Sequence, residues 1–280
     1  MALPADSHVH SEWSWDAPGG SMELTCRRAL EIGLPAVAFT EHADHTVWQV
    51  AAGEPHDDDK LTAFLAPDGT VTPPALDLDG YLESVQRCRE QFPGLRVISG
   101  VEIGEPHLHG AVVAGLLAAG RFDRVLGSLH CLPVDGRFHE VAGLYRDRPA
   151  GDVVRAYLGE VARLVQLSDA FAVLAHIDYP VRDWPAHAGP FDPDAFEDEY
   201  RHALGLLAAG GRALEVNTRV PLHPRVVRWW REEGGTSVTF GSDAHDPDVL
   251  ALGFRDAAAL VQAHGFRPGR HPWDVWTRRG

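Results

Sequence analysis

The chain has 280 residues, enough for one large α/β domain or two small ones, with 45% hydrophobic and 23% charged residues, an ordinary globular balance. Its formal charge of −15 repels polyphosphate backbones and excludes a general nucleic-acid binder; a small phosphorylated substrate stays open, because bound divalent cations reverse the local sign. No apolar run approaches the ~20 residues of a membrane helix, residues 1–10 lack the basic flank and apolar core of a signal peptide, and Cys26, Cys88 and Cys131, an odd set without framework spacing, point to reduced thiols in the cytoplasm.

The first short apolar run, 2–9, leads into DSHVHSEWSWDA at 6–17. On a strand, residues two apart face the same side, so His8 and His10 present paired imidazoles, with Asp16 six residues further on. Such a pair can grip a metal, cradle an anion or merely decorate a strand end. MELTCRRALEIG, 22–33, predicts a helix stopped at Gly33. The next run, 35–42, ends in Glu41-His42.

Residues 43–78 are too many for an ordinary strand-to-helix loop, and predict either a lid or substrate wall over the second strand or a surface excursion. Their acidic part, GEPHDDDK at 53–60, reads as a solvated loop. The run 95–103 carries Glu102; His107 and His109 follow a proline, which puts them in the loop beyond, as substrate contacts at most. The run 123–131 places His130 near its end and turns Cys131 to the opposite face, into the core. Runs at 171–177, 212–217 and 236–244 complete a set of seven, two of them closing on His176 and on Asp243 with His245 beyond. Helical patterns occupy 151–168, 196–211 and 247–265.

Near-continuous apolar runs suit strands buried on both faces, and their alternation with helices predicts a β/α barrel or an open doubly wound sheet. No glycine-rich phosphate loop opens the first helix, which argues against a dinucleotide fold. Six of the seven runs finish in a histidine or carboxylate, and a barrel brings all such ends to one mouth. A lone histidine at a strand end is more often a hydrogen-bonded or solvated group. Six imidazoles and several carboxylates gathered at one mouth without a cation would be costly.

Imidazole with carboxylate is a ligand set for zinc, manganese or iron, and thiolates are absent from it. The nine candidates, His8, His10, Asp16, His42, Glu102, His130, His176, Asp243 and His245, are too many for one tetrahedral ion and suit two or three, with Glu102 able to bridge. His45, His56, His139, His187, His202, His223, His264 and His271 read as surface or loop residues.

DSHVHSEWSWDA, FTEH, GVEIG, GSLH, LAHID, EVNT and GSDAH, in this order at strand ends, resemble the PHP (polymerase and histidinol phosphatase) superfamily over about residues 5–247. Ser-x-Asp-Ala after the first motif, T-E-H, G-V-E and E-V-N-T look most like its monofunctional histidinol-phosphate phosphatases. The resemblance implies a single-domain, distorted seven-stranded β/α barrel with a trinuclear metal site. It assigns His8, His10, Glu102 and Asp243 to one ion, Glu102, His130 and His176 to a second, and Asp16, His42 and His245 to a third. One departure is Arg219, where the family usually has a small residue after EVNT.

The implied reaction is hydrolysis of L-histidinol phosphate by water that bound cations acidify, with Glu102, Asp243 and His245 in catalytic positions. Arg182 and Arg219 are candidates to fork the phosphate. The competing readings are a phosphoesterase for nucleotides or other small phosphomonoesters, and a non-catalytic metal- or ligand-binding module.

Overall fold

The computed structural model describes residues 3–50 and 59–278. His56 and most of the acidic run at 53–60 lie outside the described residues. In chain order the elements are β1 (Asp6–Val9), α1 (Met22–Ile32), β2 (Ala36–Ala43), β3 (Trp48–Gln49), α2 (Asp59–Thr62), β4 (Thr70–Val71), α3 (Leu78–Gln91) and β5 (Arg96–Gly104). Then come α4 (Gly110–Ala119), β6 (Arg124–Ser128), β7 (Cys131–Val134), β8 (Arg137–Glu140), α5 (Val141–Leu144), α6 (Ala150–Leu167) and β9 (Val173–Leu174). The last are α7 (Glu197–Ala209), β10 (Ala213–Asn217), α8 (Pro224–Glu232), β11 (Ser237–Gly241), α9 (Phe254–Ala263), β12 (Phe266–Arg267) and β13 (Trp276–Arg278).

One curled sheet runs β1-β2-β5-β6-β9-β10-β11-β13-β12. Each pairing from β1 to β11 is parallel, and β13 and β12 add on in antiparallel fashion. The sheet therefore has nine strands where seven were expected; the added pair comes from the C-terminal residues beyond the last apolar run. The first strand meets the end of β11 through a parallel bridge between Val9 and Ala244. Asp243 N donates to His8 O and His10 N to Ala244 O, both at 2.9 Å. The buried Asp6 carboxylate adds acceptors for Ser242 N at 3.0 Å and Ser242 Oγ at 2.5 Å.

Strand alternation sorts the side chains. Along β2, Val37 and Phe39 join the main core under the helices, while Ala36 and Ala38 share the opposite face with Thr40 and His42. Ile98 and Glu102 share the corresponding face of β5. That inner face begins small and apolar and ends polar, so chemistry accumulates at the strand C-termini. Trp273 packs on Ala5, Ala36, Ala38 and Ile98, and Val275 on Leu126, Val173, Ala175 and Ala213, covering the start of the strands.

Outside the sheet, α6 buries Val153, Val154, Tyr157, Leu158, Val161, Leu164 and Val165, the stripe its helical spacing predicts. Ser21 caps α1 by accepting from Leu24 N, and Gly33 ends it at φ 76°, the left-handed conformation that glycine adopts without strain. The expected helix over 247–265 is instead broken: a 3₁₀ turn, Pro247–Val249, precedes α9, with positive φ at Ala251 (53°) and Gly253 (77°) between them.

Within the stretch 43–78, β3 and β4 join a second, four-stranded sheet, β4-β3-β8-β7. Asp135 and Gly136, both at positive φ (51° and 81°), turn β7 into β8. Trp48, Val71 and Cys131 form its buried core, with Trp15, Phe64 and Phe138 packed around them.

Tyr81 of α3 fastens helix to sheet: its buried hydroxyl donates to Phe39 O at 2.8 Å and accepts from Gly100 N at 2.7 Å. Tyr81→Phe is expected to lower the unfolding free energy by about 1–3 kcal/mol, because buried backbone groups lose a partner. Urea unfolding measures this, and unchanged stability would show that those groups pair elsewhere.

Candidate metal centre and active site

Glu102 projects from β5 into a ring of imidazoles. Its Oε2 lies 3.0 Å from His8 Nε2, 3.3 Å from His10 Nε2 and 3.3 Å from His42 Nδ1. Its Oε1 lies 2.8 Å from His176 Nε2 and 3.3 Å from His130 Nε2. Asp243 Oδ1 stands 3.4 Å from His10 Nε2 and 3.8 Å from His8 Nε2. Asp16 closes the far side, 2.9 Å from His245 Nε2 and 3.5 Å from His42 Nε2. All nine residues named from sequence as ligands thus meet in one cluster.

The donor chemistry fits divalent cations. The Nε2 atoms of His8 and His10 lie 3.0 Å apart, a contact that two lone pairs cannot make without a proton or cation between them. Asp16 Oδ1, His42 Nδ1, Asp44 Oδ1 and His176 Nδ1 are buried without hydrogen-bond partners. Among the described residues, donor atoms converge within 4.8 Å in four groups: His8-His10-Asp243, His8-Glu102-His176, His10-His42-His245 and His42-Asp44-His130. No thiolate enters any of them.

The buried charges of the ring shift one another's protonation. Burial alone would lower the His42 pKa, but Asp16, Asp44 and Glu102 outweigh it and push it up to about 10. Burial likewise opposes a proton on His8 and His130, and neighbouring carboxylates raise both well above the usual range. His10 goes the other way, down to about 4, through burial and the nearby His245 and His42. Burial would raise Glu102, yet His8 and His42 hold it well below the usual carboxylate range.

Backbone and outer contacts fix the ring. Asp243 sits at φ 54°, in the left-handed region that costs most side chains about 1–3 kcal/mol. That turn lets its N–H reach His8 O while its carboxylate points into the cluster. Glu215 of β10 accepts from His8 Nδ1 at 2.7 Å with one oxygen and from His176 N at 2.7 Å with the other. A carboxylate behind an imidazole fixes its tautomer and leaves Nε2 free to ligate. Position 241 must be glycine here: a Cβ would stand 2.0 Å from Glu215 Oε1 and 2.6 Å from His8 Cβ.

The cluster floors a cavity of about 200 Å³. Its lining includes Arg182, whose Nη2 lies 2.5 Å from Asp243 Oδ2 and whose guanidinium sits 4.8 Å above the Tyr179 ring, and Arg219. Trp15, Trp48 and Leu61, with Glu105 and Glu140, complete it. His107 does not reach this cavity. Its ring is buried against Glu160, 2.8 Å away, so the expected substrate contact is corrected to a structural pair; the loop after β5 turns it outward to α6. His109 bonds Thr46 Oγ1 at 2.8 Å.

Sequence reasoning missed Glu215 and Asp44. Glu215 is a carboxylate inside an apolar run, the same signal that marked Glu102. Asp44 stands two residues past His42, the spacing that paired His8 with His10.

Residues 6–219 match the PHP domain, so the chain belongs to that family. It is 29% identical over 272 residues to a probable histidinol-phosphatase of Deinococcus radiodurans, covering 94% of each chain. It is 24% identical over 272 residues to the histidinol-phosphatase of Lactococcus lactis subsp. lactis, covering 93% of this chain and 91% of that one. The fold is similar to the crystal structure of the Lactococcus lactis histidinol phosphate phosphatase complexed with zinc, L-histidinol and phosphate (TM-score 0.79, 21% identity, 95% of both chains). It also resembles a putative histidinol phosphatase from Listeria monocytogenes (TM-score 0.71, 18% identity, 90% of this chain and 99% of that one).

Asp16, Asp44 and Glu102 push the His42 pKa up to about 10, so a cation binding this imidazole at neutral pH is expected to displace a proton. Zinc binding should therefore release protons at pH 7 and weaken as the pH falls. Calorimetry in buffers of different ionisation enthalpy counts those protons; zinc binding with no release would contradict the charge balance described above.

Proposed function

We propose that the chain is a metal-dependent phosphomonoesterase that hydrolyses L-histidinol phosphate to L-histidinol and phosphate. The observation that carries this reading is the buried Glu102 carboxylate, faced by five imidazoles at the strand ends beneath a cavity lined by arginine, aromatic and acidic side chains. Membership of the PHP family and the names of full-length relatives support it. The seven parallel strands, with the Val9–Ala244 bridge joining first to last, support a distorted seven-stranded β/α barrel as the scaffold.

His8, His10, Glu102 and Asp243 would hold one ion, Glu102, His130 and His176 a second, and Asp16, His42 and His245 a third. Two or three bound zinc, manganese or iron ions would supply positive charge for phosphoryl oxygens and acidify water. The chain's own groups do the rest. Arg182, braced by Asp243 and the Tyr179 ring, forks the phosphoryl oxygens together with Arg219. Trp15, Trp48 and Leu61 offer a flat, dry wall for the substrate's imidazole. Glu140, which accepts from Tyr179 Oη at 3.0 Å, presents its carboxylate to the substrate's ammonium group. Glu102 holds the cluster together by facing both halves of it.

No helix among the described residues is long and apolar enough to cross a membrane, and Cys26, Cys88 and Cys131 are free thiols. Both agree with a cytoplasmic enzyme acting on a small phosphorylated substrate.

A panel of phosphomonoesters tests the reading. Phosphate release from L-histidinol phosphate is expected to exceed that from nucleoside monophosphates by at least about 10²-fold in kcat/KM, and to stop with chelator. Equal or faster release from nucleotides would assign the chain to another phosphoesterase branch. Glu102→Gln should lose metal and turnover together while the fold persists by circular dichroism.

A further inference from the structure

The metal-ligand sets proposed above leave unassigned a buried carboxylate that faces two of the imidazoles. Asp44 follows β2 and turns back into the cavity wall. Its Oδ2 lies 3.4 Å from His42 Nδ1, and its Oδ1 lies 3.5 Å from His130 Nδ1. Trp15 Nε1 donates to Oδ2 at 2.9 Å and anchors the carboxylate from the lid side. Room for it depends on Gly104, where a Cβ would stand 2.3 Å from Asp44 Oδ1. Asp44 Oδ1 and His42 Nδ1 are both buried without a hydrogen-bond partner.

We infer that Asp44 is a positioning residue that holds His42 and His130 with Nδ1–H turned to its carboxylate and Nε2 turned to the cations, so that one side chain sets ligands belonging to two different ions. Glu102 Oε2 also stands 3.3 Å from His42 Nδ1, but the same oxygen faces His8 Nε2 at 3.0 Å and His10 Nε2 at 3.3 Å. Once Glu102 serves ions, Asp44 remains as the acceptor for the outer nitrogen of His42. His42 Nε2 already points at Asp16 and His130 Nε2 at Glu102, on the side of the proposed ions. A carboxylate behind a ligating histidine commonly changes metal affinity by about 10–100-fold. Here the effect falls on two ions at once and couples their loading, while the ion assigned to His8, His10 and Asp243 has its own brace in Glu215.

The inference rests on the metal-centre reading, and the test separates the two. Zinc-loaded wild type and Asp44→Ala are titrated with a chelator, and the zinc retained is counted by elemental analysis. Asp44→Ala should hold two ions at least about tenfold more weakly, both together, and keep the third at wild-type affinity. In the zinc-loaded protein labelled with ¹⁵N-histidine, two Nδ1–H signals should change, those absent from His42→Asn and His130→Asn. Asp44→Asn keeps the shape of the side chain, but its single carbonyl oxygen can accept from only one of the two rings, so it should restore one weakened ion at most. Unchanged affinities, weakening of a single ion, loss of all three, or full restoration by Asp44→Asn would each overturn the inference. Wild type that retains no zinc would instead overturn the metal-centre reading itself.

Discussion

A carboxylate surrounded by imidazoles at the centre of a fold imposes a charge balance on everything around it. Glu102 is fully buried, and a buried anion is tolerated only when cations and hydrogen bonds compensate it. The carboxylates around His8, His42 and His130 raise the pKa of each, so these imidazoles favour the positive form that offsets it. Metal ions at the same place would supply the charge without the protons, which is why the cluster reads as a site for exchange of one kind of positive charge for another.

The scaffold is arranged to hold that balance rigidly. Ala36, Ala38, Ile98, Leu126, Val173 and Ala213 line the inner face toward the start of the strands, and His42, Glu102 and His176 stand at or beyond their ends. Strain is accepted where it aims a carboxylate into the cluster, as at Asp243, and glycine is used where a carboxylate must pass close to the backbone, as at Gly104 and Gly241. The ring is flanked from outside by Glu215 and by Asp44, whose indole partner Trp15 also packs against Trp48 and Phe64. The imidazole cluster and the aromatic part of the cavity lining are therefore parts of one connected network.

Much of this was legible because strand ends are punctuated in sequence. Apolar runs that stop on His8, His42, Glu102, His130 and Asp243 carry both the fold and the cluster, since parallel strands in a curled sheet must bring their C-termini together. Other features follow from physics that a run-by-run reading does not see. His107 repeats the spacing of His8 and His10, yet the chain has already turned outward and Glu160 of α6 claims it. The second sheet depends on pairing between Trp48 and Phe138, far apart in the chain, although Asp135-Gly136 is a local signal for its hairpin. β12 and β13 are too short for a periodicity to show. Glu215 carries the same signal as Glu102, a carboxylate inside an apolar run, but its place behind the His8 imidazole shows only in the folded geometry.

The central claim is that these side chains exist to hold divalent cations. Anomalous diffraction from crystals grown with zinc, recorded on both sides of the zinc absorption edge, tests it directly. Two or three peaks inside the ring bounded by His8, His10, Asp16, His42, Glu102, His130, His176, Asp243 and His245 are predicted. A map without peaks there, or with zinc bound only at surface histidines, would contradict the account.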